Sequence, residues 1–386
     1  MIQNPPVSAG IAEGVPWYIT TATSVTGTNV TLTAPTTGQT FTAPCGRGTA
    51  APAAGATVLV LGNGDGSNDV VMGWVGAPAG APAATHVYVC NYFSSTVSKV
   101  DIATFTQTAT LNIGGYPLDI VTDPQGKYLY ATSRGNTTPS TNIIAKIDVA
   151  TFTEVASMSP GYYPTTLTID PSGTNLYVAN PNSNTVEKVD VASFSVVASL
   201  AVAANIFSIA IDPAGAYAYV CSTSTITKVD LSTFTAVGTV AVTANAYAMA
   251  IDSTGTYGYV ASSGNVLTKI ALSTLTVSAT LPSGFFNFPT GIVIDGTDTY
   301  VYLVNNSSAT VSEVNVNTMT VTATGSTGGL GSQYLAIDRA AGHLYVSNTQ
   351  GTDYSQNGPL ARFTVPGLTG LTTTAIGQHA DGIALA

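Results

Sequence analysis

The chain has 386 residues, of which only 8% are charged, and a formal net charge of −10. Ten basic residues spread over the whole length cannot build the Lys/Arg field that displaces counterions, which excludes nucleic acid as a partner. Thr, Val, Ala, Ser, Gly and Tyr outnumber the long polar helix formers, so the composition is that of strands and turns.

From the N-terminus, Met-Ile-Gln-Asn-Pro-Pro lacks the basic region and apolar core of a secretory signal, and the chain is expected to act without one. Trp17–Thr21, Asn29–Ala34 and Thr40–Ala43 read as short strands. Ala56–Leu61 and Asp69–Val75 flank the turn Gly62-Asn-Gly-Asp-Gly-Ser-Asn68, whose Asn-Gly and Asp-Gly pairs are hairpin chemistry. Five or so short strands within residues 1–76 predict a small β-barrel. Asp65 sits among oxygen donors in that turn, but the spacing is not that of a calcium loop, so a plain hairpin is expected. Residues 77–85 form a Pro/Ala/Gly linker of semi-extended character.

From residue 86 onward the chain repeats itself. A turn aspartate recurs at Asp123, Asp170, Asp212, Asp252, Asp295 and Asp338, spaced by 47, 42, 40, 43 and 43 residues. A buried-strand tyrosine recurs seven times, at Tyr88, Tyr130, Tyr177, Tyr219, Tyr259, Tyr302 and Tyr345. Four short strands per period of about 40–50 residues predict a seven-bladed β-propeller over residues 86–386. The near-continuous apolar segment ending Ile209-Ala-Ile-Asp212 is assigned to the innermost, fully covered strand. Alternating segments such as Thr185-Val-Glu-Lys-Val-Asp190 read as half-buried strands. Asp-Pro-x-Gly sequences after the inner strand are tight turns. A second aspartate, at Asp101, Asp148, Asp190 and Asp230, reads as a hairpin cap, with Phe105, Phe152, Phe194 and Phe234 packing between blades. The apolar run Val196–Ile211 spans two of these strands and carries Ser199, Asn205 and Ser208, so no membrane span is expected. The first unit starts at its second strand, and His379–Ala386 matches Tyr116–Asp123. Pairing these ends is predicted to complete blade one and leave no open edge.

Leu176-Tyr-Val-Ala-Asn180 and Tyr302-Leu-Val-Asn305 resemble the YVTN-type propeller repeat, a likeness that covers about 300 residues. Such repeats imply a propeller that serves in surface proteins, lactone-hydrolysing enzymes or cofactor-binding oxidoreductases. In the N-terminal part, Val-Leu-Val-Leu…Asp-Gly…Val-Val-Met-Gly-Trp-Val is similar to the small OB-like barrels of bacteriophage tail, baseplate and spike proteins over about 25 residues.

Few residues suggest chemistry. His86 and His343 take positions that other units fill with Tyr128, Tyr217 and Tyr300, and His379 matches Tyr116, so packing is the expected role for all three. Cys45, Cys90 and Cys221 make neither a disulfide framework nor a metal motif. No metal and no cofactor is expected. The Asn-x-Ser/Thr triplets at Asn29, Asn136, Asn305 and Asn306 are expected by chance in a chain this rich in Ser and Thr. What remains is aromatic. Loops expected to share one propeller face carry Tyr92, Tyr116, Tyr163, Tyr247, Phe286 and Tyr334, with Phe93, Tyr162, Phe207, Phe285, Phe288 and Tyr354 beside Asn and Ser. These rings either stack on sugars or plug gaps between blades.

The reading that follows is a non-enzymatic virion structural protein of a bacteriophage, from a tail, baseplate or capsid decoration. Residues 1–76 would dock onto other virion proteins and the propeller would face host-surface glycans, as a homo-oligomer. The alternative is a microbial cell-surface or surface-layer adhesion protein. A propeller enzyme is the third reading, set back by the packing positions of the histidines.

Overall fold

A computed structural model describes residues 84–135, 142–329, 331–349 and 357–386, together with the backbone of five strands between residues 17 and 74. Its 33 strands are numbered β1–β33 in chain order. Among the described residues no helix is long and apolar enough to cross a membrane. The run Val196–Ile211 is divided between β16 (Ser195–Ala201) and β17 (Ser208–Ile211). Cys45, the Asp65 turn, Asn136, Tyr354 and most of the 77–85 linker lie outside the described residues.

Two compact units make up the chain, Met1–Ala81 and Pro82–Ala386. In the first, β1 (Trp17–Thr26), β2 (Asn29–Thr33), β3 (Thr40–Pro44), β4 (Thr57–Leu61) and β5 (Val70–Trp74) form an antiparallel sheet. Their order is β3-β2-β1-β4-β5. Strand β1 is shared: Trp17–Thr21 pairs with β4, and Ala22–Thr26 pairs with β2 with a register shift at Ala22/Ser24. Such a shift bends a strand, which lets one strand serve two partial sheets. Strands β4 and β5 pair as a hairpin.

The second unit is an all-β propeller of seven four-stranded blades. Blade one combines β33 (Ala380–Leu385) with β6 (His86–Asn91), β7 (Thr96–Asp101) and β8 (Thr106–Asn112). Blades two to seven are β9–β12 (116–158), β13–β16 (167–201), β17–β20 (208–241), β21–β24 (246–281), β25–β28 (289–326) and β29–β32 (332–378). Innermost strands of neighbouring blades touch all round the ring, β33 lying between β29 and β9.

Burial differs from the expectation for the innermost strand. The fully covered strand is the second of each blade: in β6, β14 (Asn175–Asn180) and β26 (Tyr300–Asn305) every residue after the first is buried. Innermost β17 and β29 (Ser332–Asp338) are mostly half-buried. The reason is geometric, since the inner strand borders the central channel while the second strand is sandwiched between blades. Accordingly the seven repeat tyrosines, from Tyr88 to Tyr345, are the largest fully buried side chains.

The two recurring aspartates do the local work their positions imply. Asp123 accepts from the backbone N–H of Lys127 and Tyr128 at 2.6 and 3.1 Å, closing the Asp-Pro-x-Gly turn in which Gly126 has φ +67°. Asp190 accepts from Ser193 N–H and its hydroxyl, both at 2.7 Å. Cys90 and Cys221 are buried and free.

Candidate functional site at the channel mouth

The loops that enter the inner strands and the loops after the second strands meet on one face. Backbone hydrogen bonds join them, for example Ile113 N–H to Ser95 O at 3.1 Å and Asn306 N–H to Phe288 O at 3.0 Å. Within this face the channel opens into a cavity of about 770 Å³. Its lining comes from the inner strands of blades two to seven and the loops that enter them: apolar Leu118, Ile206 and Leu335, polar Thr166, Ser208 and Gln333, and the rings of Phe207, Tyr247, Phe288 and Tyr334. Asp119 is the one carboxylate in the lining.

Asp119 on β9 (Tyr116–Thr122) is half-buried and bonded across to blade three. Its Oδ2 accepts from the Thr166 hydroxyl at 2.7 Å and Leu167 N–H at 3.1 Å, and its Oδ1 accepts from Ile120 N–H at 2.9 Å. Burial nevertheless outweighs these bonds and lifts its pKa to about 6, with Asp381 adding a smaller push. Asp381 on β33 is also raised by burial, against the hydrogen bond from His379. The two groups meet at 3.1 Å, His379 Nδ1 to Asp381 Oδ2. The Tyr334 phenol is held well above its ordinary range by burial and by the nearby charges of Asp119 and Asp381. These groups come close because Gly382 has no side chain: a Cβ there would lie 2.5 Å from Asp119 Cα and 2.7 Å from Leu118 O. Glycine lets β33 lie directly against β9.

The aromatic residues expected to bind ligand separate into two groups. Tyr247 lines the cavity, edge-on to Phe207 at 4.8 Å and tilted to Phe288 at 5.2 Å. Tyr334 lines it too, from the inner strand of blade seven. Tyr92, Tyr116 and Tyr163 gather instead around Arg134, at the rim formed by blades one to three. Tyr92 stacks on Tyr116 with centroids 4.7 Å apart and an 18° tilt. The Arg134 guanidinium lies 4.8, 5.8 and 4.7 Å from the centroids of Tyr92, Tyr116 and Tyr163. Phe286 belongs to neither group. It is 6% exposed and packs in the core with Leu281, Ile292 and Ile294, which makes it inter-blade filling; the neighbouring exposed rings are Phe285 and Phe288.

His86 and His343 pack beside the repeat tyrosines Tyr88 and Tyr345, at 6.1 and 6.3 Å. His379 packs too, 5.3 Å from Tyr92, but it also carries the contact to Asp381. Asn305 is buried, its amide donating to Thr310 and Ser312, so the folded chain does not present that triplet. Among the described residues no three His, Cys, Asp or Glu side chains are placed to hold a metal ion.

Neither Asp119 nor Asp381 belongs to a recognisable motif, although the repeat position of Asp119 carries a signal. Four residues before each turn aspartate the repeat carries Asp119, Thr166, Ser208, Ala248, Gly291 and Tyr334. One carboxyl and one phenol stand out where the other blades present small neutral groups to the channel.

Residues 79–197 match the family described as lactonase, 7-bladed beta-propeller. Among solved structures, hydrazine synthase from Kuenenia stuttgartiensis is similar with a TM-score of 0.63 and 17% identity, over 74% of this chain and 95% of that one. At this identity the likeness speaks for the propeller fold alone. A search of the curated proteins finds no match.

Proposed function

We propose that the propeller is a glycan-binding module of a bacteriophage virion structural protein, and that it takes its ligand at the channel mouth. The cavity of about 770 Å³ carries this reading, because Phe207, Tyr247 and Phe288 stand in its wall beside Asn205, Thr290 and Gln333. Aromatic planes accept the apolar face of a pyranose, while amides and hydroxyls bond its rim. The anchor is assigned to residues 1–76: five short strands with a bent, shared β1 suit the small OB-like barrel to which their sequence is similar. The YVTN-type ring then displays the cavity. In titrations of the full chain with host-envelope glycans, Phe207→Ala and Tyr247→Ala should each weaken binding about thirtyfold, or about 2 kcal/mol. Absence of binding to any host glycan, or affinity untouched by both changes, overturns the reading.

A second, hydrolytic reading is favoured by one observation. Asp119, with its pKa raised to about 6, faces the same cavity as Tyr334 and falls inside the stretch similar to the lactonase family. A carboxyl poised near neutrality can pass a proton during ester opening. On this reading the full chain hydrolyses glucono-δ-lactone and Asp119→Asn abolishes the activity. A chain that opens the lactone no faster than buffer removes it.

A further inference from the structure

We infer that Arg134 and the tyrosines around it form a subsite for the carboxylate of an acidic sugar, at the rim of the glycan-binding face. The inference rests on the glycan reading and adds the chemical class of the ligand. Tyr92 and Tyr163 lie 4.8 and 4.7 Å from the guanidinium, and Tyr116 backs Tyr92. Rings this close to a guanidinium engage its charge through their π-faces, and its N–H groups remain the part able to bind an anion. Those groups have no hydrogen-bond partner among the described residues, and Arg134 makes no ion pair among them. An in-plane pair of N–H donors fits a carboxylate in two-point contact.

Charge placement isolates this group further. Lys99, Lys146, Lys188, Lys228, Lys269 and Arg362 lie over rings between the blades. Lys127 lies over Tyr128, and Arg339 donates to Ile294 O at 3.3 Å on the opposite face. Among the described residues, Arg134 is therefore the basic side chain at the ligand face. The nearby carboxylate, Asp381, is buried and taken up by His379. Exposed rings are at hand for the sugar itself: Phe93, 42% exposed, stands 6.3 Å from Tyr116, and Tyr162, 50% exposed, stands 6.4 Å from Tyr163. Leu118 and Thr165, each two residues beyond a tyrosine of this cluster, line the cavity, so one oligosaccharide can reach both places.

The test uses the full chain with two acidic probes and their neutral counterparts: trigalacturonate against its methyl ester, and sialyllactose against lactose. At least one acidic probe should bind about tenfold or more tightly than its neutral partner, with the preference weakening as salt rises. Arg134→Gln should erase that preference while leaving the affinity for the neutral form within about twofold; Arg134→Lys should keep part of it. Neutral sugars bound as well as acidic ones would overturn the subsite and leave the glycan reading standing. A preference that survives Arg134→Gln would also overturn it. If neither member of either pair binds, the subsite falls together with the glycan reading.

Discussion

Asp119 accepts three hydrogen bonds and still keeps its proton to about 6, because a carboxylate drawn in between two blades loses more hydration than those donors return. The folded chain therefore binds a proton at this site between pH about 6 and 3.8 that the unfolded chain does not. Stability must rise as pH falls through that window, by on the order of 3 kcal/mol from Asp119, and Asp381 acts in the same direction. The exposed caps oppose it at lower pH. Hydrogen bonds from Thr104, Thr151, Ser193 and Ser232 hold Asp101, Asp148, Asp190 and Asp230 below the ordinary 3.8, so their contribution is lost as pH falls past it. Melting temperature should climb from pH 7 toward about pH 4 and then drop. Asp119→Asn should flatten the climb and leave the acid-side drop in place; an unchanged climb would show that Asp119 does not titrate in this window.

Between blades, one device is repeated by residues on the third strand and in the turn that follows it. A phenylalanine after the hairpin cap, in the left-handed region, packs on the preceding blade's tyrosine: Phe152 on Tyr88, Phe194 on Tyr130, Phe234 on Tyr177 and Phe105 on Tyr345, at 5.7–6.3 Å. Above these rings a third-strand cation reaches the next blade's backbone. Lys188, Lys228 and Lys269 donate to Leu231, Leu272 and Val316 carbonyls at 3.1–3.3 Å, and Arg362 to Ile102 O at 2.8 Å. Blade six inverts the polarity, since Glu313 holds this position and accepts from Gly367 N–H at 2.6 Å. Two outcomes follow. Lys228→Met should cost about 1–3 kcal/mol in denaturant melts, having stranded a carbonyl and lost its cation–π contact. Glu313→Lys, which brings blade six into line with the other blades, should destabilise by a similar amount, because a donor would face a donor. A stabilising Glu313→Lys would show that the cation matters more than its backbone partner.

In the ring as a whole, the inner strand of blade one comes from the far end of the chain. β33 pairs with β6 through Ala380–Asn91, Ile383–Val89 and Leu385–Val87, and His86 N–H donates to Ala386 O at 2.8 Å. The same strand touches blade two, where the Thr122 hydroxyl donates to Leu385 O at 2.6 Å. Removing Gly377–Ala386 would take away the inner strand of blade one, expose the edge of β6, and delete Asp381 and His379 from the channel mouth. The expected result is insolubility, or a loss on the order of 5 kcal/mol or more in a urea melt. A truncated chain that melts with the parent would show that the ring does not rely on this pairing.

The blade number was legible in the chain because the same local chemistry recurs: a tyrosine in a covered strand of all seven blades, a capping aspartate in six, and a positive-φ glycine after five of those. Those signals lie within seven residues of one another, so sequence spacing carries them. Phe152, Phe194 and Phe234 were legible for the same reason, as a repeated position. The site was not. Asp119 acquires its pKa from burial against blade three, and its approach to Asp381 joins residues 262 positions apart through Gly382. Phe286 and Tyr247 look alike as loop aromatics, yet ring closure turns one into the core and the other into the cavity. Desolvation and orientation are properties of the closed ring, where blades far apart in sequence meet at one channel. Local composition sets which residues reach the loops, and only the packed ring sets which of them face a ligand.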